Sequence, residues 1–213
     1  MANNNFELRA LTFIDSLQPQ LVEYMTGKKR IKTPNQYDAA LLLEISPALE
    51  IHGLIDTALK ATEVDLGVAI TERRFGLMQI QHQDQGEVKE AGRAVLRSLG
   101  LDETSRTTAT LLTYKIIRSV EQDHTEMFNK KAKDEKVIAG ESVLILEATP
   151  AAYLAIAANE ALKAANVKLI RLKSFGATGR LIMSGIESEI DSAADAAIAI
   201  LKQLNSKAVR QLD

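Results

Sequence analysis

The chain repeats itself at a spacing of 103 residues without a gap. LEISPALEIHGLIDTALKATEV begins at Leu43, and LEATPAAYLAIAANEALKAANV begins at Leu146. The same offset places Glu44 on Glu147, Pro47 on Pro150, Lys60 on Lys163 and Val64 on Val167. Further out it places Ser16 on Ser119, Gly76 on Gly179 and Ala91 on Ala194. A duplication predicts two units of one fold, 1–103 and 104–213, each near the usual domain size. A surface used by one copy is then offered again by the other, about a pseudo-twofold axis or alternately around a ring.

Each copy reads strand, short helix and loop, strand, helix, strand, strand, helix. Strands are predicted over 8–14 and 111–117, and over the aliphatic runs 40–45 and 143–148. The polar stretches 18–36 and 121–139 between them predict a short helix followed by a loop. Ile51, Leu54, Ile55, Ala58 and Leu59 fall on one helical stripe, as do Leu154, Ala157, Ala158, Ala161 and Leu162. Pro47 and Pro150 stand where these helices start, a position at which a missing N–H costs little. Val64, Leu66, Val68 and Ile70 alternate as in a strand. A turn around Gly76, or Gly179, is expected to lead to a strand over 77–81, or 181–184, and then to an alanine-rich helix. The tail beyond Asn205 is expected to fray. This order predicts an α+β fold, an antiparallel sheet with helices on one face in each copy.

Composition narrows the function classes. Aromatic residues make up only 4% of the chain and Trp is absent, so the cores are aliphatic and alanine-rich. A net charge of −2 gives no general attraction to nucleic acid or anionic membrane. There is no Cys, which excludes disulfides, thiolate metal sites and a Cys nucleophile. MANNNFELR lacks a basic region followed by an apolar stretch, and no apolar run reaches membrane-spanning length. A cytoplasmic protein without membrane partners is expected. His52, His82 and His124 do not recur at the repeat offset, and no metal-ligand spacing, nucleophile elbow, phosphate loop or dinucleotide fingerprint occurs. FGATGR, at 175–180, has the glycines of a phosphate cradle but is better explained as a turn between strands. No catalytic residue, metal or cofactor is predicted.

NEALKAANVKLI, at 159–170, resembles the shell-protein domain of bacterial microcompartments, and IDTALKATEVDL, from Ile55, repeats the motif more loosely. DSLQPQL, ERRFGLM, QGEVKEAGRAVL and LEATPAAYLAIAANEA extend the resemblance over most of the chain. Because FELRALTFIDSL stands first and no strand follows the last helix, the chain looks like a circularly permuted tandem member of that family, as found in carboxysome shells. It departs from those members at GKKRIKTPNQYDA, 27–39, where they carry an apolar, Pro- and Gly-rich loop.

The resemblance implies two tandem ferredoxin-like domains and a homotrimer that imitates a hexamer, stacked in pairs as a dimer of trimers. Its partners would be other shell proteins and metabolites in transit. It also implies site residues. Glu72 and Arg73 match the family's pore gate, and the repeat places Phe175 and Gly176 opposite them. Lys60 and Lys163 match the edge lysine whose stem packs between tiled units while its ammonium stays hydrated. Lys28, Lys29 and Arg30 in one loop, and Lys131 and Lys133 in the other, are expected to attract small anionic metabolites or simply to be solvated. These loops lack the aromatic interleaving of nucleic-acid binders.

The expected function is therefore a non-enzymatic shell protein with a gated pore. Two other readings stand beside it. One is a trimeric or hexameric regulatory protein that binds a small effector between α+β domains. The other is an enzyme with its site in the cleft between domains, which would require a cluster of titratable residues that the sequence does not offer.

Overall fold

Duplicated sequence gives duplicated elements. The computed structural model describes residues 6–25, 31–206 and 210–213. The first half runs β1 (Glu7–Ile14), α1 (Pro19–Met25), β2 (Ala39–Ser46), α2 (Ile51–Ala61), β3 (Asp65–Glu72), β4 (Phe75–His82) and α3 (Gln85–Leu99). The second runs β5 (Thr110–Ile117), α4 (Gln122–Asn129), β6 (Ser142–Thr149), α5 (Tyr153–Ala164), β7 (Lys168–Lys173), β8 (Gly179–Gly185) and α6 (Glu187–Leu204). Each half folds into a four-stranded antiparallel sheet, in the order β1-β2-β4-β3 and β5-β6-β8-β7. Even the irregularities repeat: register shifts at Leu8/Ala10 and Leu66/Val68 recur at Leu111/Thr113 and Leu169/Arg171. Such bulges turn a strand locally and re-aim one side chain, here Arg9 in the first sheet.

Pro47 and Pro150 both follow a cis peptide bond at the end of the central strand and lead into the next helix. The expected turns fall just before Gly76 and Gly179, at Arg73–Arg74 and in 174–178, not on the glycines themselves. Both lie in strands, β4 and β8, and pass close to the backbone after the proline. A Cβ on Gly76 would run into the Ala48 carbonyl, and one on Gly179 would lie 2.6 Å from the Ala151 carbonyl oxygen. The glycines repeat because the same close approach repeats.

Each half places its two long helices on one face of its sheet. Ile51, Leu54, Ile55 and Ala58 of α2 and Val88, Ala91 and Val95 of α3 bury against Leu41, Leu43, Met78 and Ile80. The side chain of Asp84 caps α3 by accepting from the Gly86 N–H at 2.7 Å, and Gly100 closes it with a φ of 66°. In the second half α5 and α6 cover Leu144, Leu146, Leu181 and Met183.

The halves then pack on one another. Ala10, Ile14, Ala40, Leu42, Val68 and Leu77, on the far face of the first sheet, share a core with Ala155, Ala158 and the rest of α5. Helix α5 therefore lies between two sheets, and every residue from Tyr153 to Asn159 is buried. Polar groups fix the register of this seam. Asn159 accepts from the Gln18 N–H at 3.0 Å and donates to the Ser16 carbonyl at 3.1 Å. The Gln20 amide donates to the Val167 carbonyl at 2.8 Å and accepts from the Leu169 N–H at 2.9 Å. Each of these two amides is thus used both as donor and as acceptor.

Among the described residues, Glu44 is the one carboxylate sunk deep in this seam, with 1% of its surface exposed. Its carboxylate accepts from Arg9 Nε at 2.6 Å and from the Ala152 N–H at 3.3 Å. Burial raises its pKa above 4.5, and Arg9 only partly opposes the rise.

The C-terminal tail is not frayed at its end. Leu212 is 1% exposed and packs over Gly92 of α3 in the first-half core. Glu103 accepts from the Gln211 N–H at 2.6 Å and the Leu212 N–H at 3.2 Å, and Arg93 and Lys89 hold the Leu212 and Asp213 carbonyls. A basic and apolar groove for the tail was not visible as a sequence pattern, because Lys89, Gly92, Arg93 and Glu103 stand mid-chain, far in sequence from the tail they hold.

Two outcomes follow from this packing. Gly76→Ala and Gly179→Ala should each destabilise the fold by about 1–3 kcal/mol in chemical denaturation, through overpacking against backbone that cannot yield. Glu44 holds a proton more tightly when folded than unfolded, so its contribution is fullest below about pH 4.5 and is lost as pH rises through the folded-state value. Urea unfolding should therefore show wild type losing stability relative to Glu44→Gln between pH 4.5 and neutrality; parallel curves would refute the assignment.

Candidate pore loops and edge residues

Strands β3 and β4 are joined by the shortest of hairpin turns. Glu72 pairs with Phe75 across the ladder, leaving Arg73 and Arg74 as the exposed turn. Arg73 takes a φ of 54°, which a two-residue hairpin turn demands and a residue with a Cβ resists. At the matching place in the second half, the wider loop between Lys173 and Gly179 holds Gly176 at a φ of 95°. The two loops thus share a left-handed residue, an arginine in one and a glycine in the other.

The structure brings the two loops together. Glu72 Oε1 lies 3.9 Å from Lys173 Nζ, and a Cβ added at Gly176 would lie 3.3 Å from Glu72 Oε1. Lys173 Nζ stands 5.1 Å from the centroid of the half-buried Phe175 ring. Behind the loops, the Arg9 guanidinium lies 3.7 Å from the centroid of the Phe75 ring and donates to Thr149 Oγ1 at 3.3 Å. Thr149 Oγ1 in turn donates to the Ala177 carbonyl at 3.2 Å. The first-half turn is therefore tied through Phe75, Arg9 and Thr149 to the second-half loop. Thr178 Oγ1 at 2.8 Å and Arg180 Nε at 3.2 Å, both donating to Glu147, hold its carboxyl below the usual range.

Lys173, Arg9 and Thr149 were not singled out from the sequence. The signal was there in part: a glutamate interrupting each central aliphatic strand, Glu44 and Glu147, calls for a partner. In the first half that partner is Arg9, aimed by the β1 bulge; its counterpart is Leu112.

The matched lysines differ in surroundings. Lys60 is 75% exposed and pairs within its helix with Asp56 at 2.7 Å. Lys163, with a side chain 27% exposed, reaches across the seam to Asp15 at 2.5 Å and also pairs with Glu160 at 3.0 Å. Burial pulls the Lys163 pKa down, but these two carboxylates outweigh it and hold the ammonium above the usual lysine range. Of the basic loop residues, Lys28, Lys29 and Arg30 lie outside the described residues. Lys131 is exposed, whereas Lys133 donates to the Glu23 carbonyl at 2.6 Å. Among the described residues, no group of three or more His, Asp or Glu side chains is placed to hold a metal ion, and no helix is long and apolar enough to cross a membrane.

Comparison with known proteins agrees with this architecture. Residues 8–105 match the CsoS1D N-terminal domain and residues 142–211 match the BMC domain. The chain is 43% identical over 202 residues to the carboxysome shell protein CsoS1D of Hydrogenovibrio crunogenus, covering 94% of this chain and 98% of that one. It is 39% identical over 201 residues to the carboxysome shell protein CcmP of Synechococcus elongatus, covering 94% of each. Among solved structures, the fused permuted hexameric shell protein MSM0275 of the RMM microcompartment superposes with a TM-score of 0.91 at 40% identity, over 94% of this chain and 98% of that one. The double ringed trimeric shell protein MSM0271 of the same compartment superposes at 0.89 and 31% identity, over 93% and 97%. With two sheets of permuted order, repeated through one chain and matched along nearly its whole length, the chain belongs to the bacterial microcompartment shell proteins, in the permuted tandem branch that includes these carboxysome proteins.

Proposed function

We propose that this shell protein works as a trimer of tandem domains, 1–103 and 104–213, closing a ring of six halves around a pore gated by Glu72 and Arg73. The observation that carries the reading is the unequal burial of equivalent surfaces. In the first half, Ala10 and Thr12 of β1 are fully buried beneath α5; their counterparts Thr113 and Lys115 in β5 are exposed, and Leu112, opposite half-buried Arg9, is 51% exposed. In the second half, Ala152, Ala155 and Asn159 are fully buried against the first sheet; their counterparts Leu49, His52 and Asp56 are exposed, Leu49 by 71%. One half thus offers an uncovered sheet face, and the other offers the helix face that covers such a sheet. A second copy seated in the same relation joins them head to tail, and a rotation that closes makes a ring. The double ringed trimer among the solved relatives supports three chains.

In such a ring the Glu72–Arg73 turn alternates with the Phe175–Gly176 loop. Exposed ion pairs at a rim contribute only about 0–1 kcal/mol each, so the rim can rearrange at small cost. The protein acts by tiling and by controlling passage, without catalysis. Lys60 and Lys163 contribute their stems to contacts with neighbouring shell units. Lys131, with Lys28, Lys29 and Arg30, draws small anionic metabolites toward the ring. Stacking of two rings is supported by exposed Ile31, Met127 and Ile138, which fall in the matched polar insertions of both halves, and by exposed Tyr37 beside the first of them.

Native mass measurement should find three or six chains for wild type and mainly single chains for Leu49→Asp; a monomeric wild type would end the ring reading. Arg73→Gly keeps a residue that tolerates the left-handed turn and removes the guanidinium. Reconstituted shells carrying it should admit a charged solute faster than wild-type shells, and equal rates would count against the gate.

A further inference from the structure

We infer that the seam between copies is held by an ion pair of the opposite polarity to the one within the chain, Asp56 of α2 against Arg118 of the neighbouring copy. The inference rests on the ring reading and names the groups that meet there.

Within the chain the polar end of the seam is Asp15 facing Lys163, with Glu160 behind the lysine and Asn159 beside it on the Ser16 carbonyl. Moving each of these by the repeat puts Arg118 where Asp15 stands, Lys60 at Lys163, Thr57 at Glu160, Asp56 at Asn159 and Ser119 at Ser16. A literal copy of the contacts fails twice. Lys60 would face Arg118, cation against cation, with Thr57 in place of the acid. Asp56, a carboxylate, cannot donate to the Ser119 carbonyl as the Asn159 amide donates to that of Ser16.

Both faults vanish if Asp56 turns to Arg118. The amide it replaces touches residue 16, so Asp56 comes to lie beside residue 119 and next to 118. Asp56 already carries Lys60 at 2.7 Å, and Arg118 already carries Asp191 at 2.7 Å and Glu187 at 3.3 Å. Joined, they form a line of alternating sign across the seam: Lys60, Asp56, Arg118, then Asp191 and Glu187 of α6. The planar guanidinium can serve carboxylates on two sides, which an ammonium does less well. Inverted polarity also gives specificity. Each seam rejects the other's partner by like charge, so the helix face of α2 prefers the second half of another chain to any first half.

The test is sedimentation of the full-length protein over a dilution series. Arg118 and Asp56 are exposed in the single chain, so their replacement leaves the fold intact. Arg118→Asp should raise the concentration for half-assembly by about tenfold or more. Asp56→Lys, which leaves Arg118 and its α6 partners untouched, should do the same. The double variant Asp56→Asn with Arg118→Asp transplants the within-chain chemistry, letting Lys60 pair with the new carboxylate, and should return assembly to near wild type. Wild-type-like assembly of both single variants, or a double variant no better than Arg118→Asp alone, would overturn the pairing while leaving the ring intact. A wild type that never associates would instead overturn the ring itself.

Discussion

Everything in this molecule hangs on the burial of α5 between two sheets. A surface helix normally buries one stripe, and α2 does so. The face of α5 that would otherwise meet water is closed by the far side of the first sheet, so a run of small residues, Ala155, Ala157, Ala158 and Ala161, is buried in the core that the two halves share. Small side chains permit that closeness, and Tyr153 fills the remaining width, its hydroxyl donating to the Thr107 carbonyl at 2.7 Å. The loops at Arg73 and Gly176 inherit their relation from this packing. Lys173 and Gly176 meet Glu72 because α5 fixes one sheet on the other, and the Phe75–Arg9–Thr149 chain transmits that placement to the turns.

Much of the fold was legible because the repeat states it twice. Helices α2 and α5 and the aliphatic central strands lie where periodicity placed them, but Leu59 at the end of the expected α2 stripe is exposed, and α5 is buried well beyond a single stripe. The turns fall where they were expected, just before Gly76 and Gly179. What the sequence did not announce is the role of the glycines, which serve close packing against Ala48 and Ala151. Nor did it announce the left-handed backbone of Arg73, which nothing in its side chain signals. The docked tail was missed for a related reason: Leu212, Glu103 and Gly92 meet only through tertiary structure, and no local pattern joins them.

The candidate site divides in the same way. Glu72, Arg73, Phe175 and Gly176 were legible through resemblance, and the structure sets Glu72 beside Gly176 and Lys173. The supporting residues were not, because their roles arise from a difference between copies. Arg9 and Leu112 occupy one position, yet one completes a buried ion pair and the other lies exposed. Asp15 and Arg118 also share a position, yet Asp15 pairs with Lys163 across the seam and Arg118 pairs with Asp191 and Glu187 of α6. A repeat advertises what both copies need for folding; the substitutions at matched places report that the copies have different neighbours.

The linker from Gly100 to Ala109 gives that difference a kinetic meaning. By joining α3 to β5 it makes one seam intramolecular, at an effective concentration of about millimolar, while its counterpart depends on how many chains are present. Dilution therefore divides an assembly only between chains and never within one.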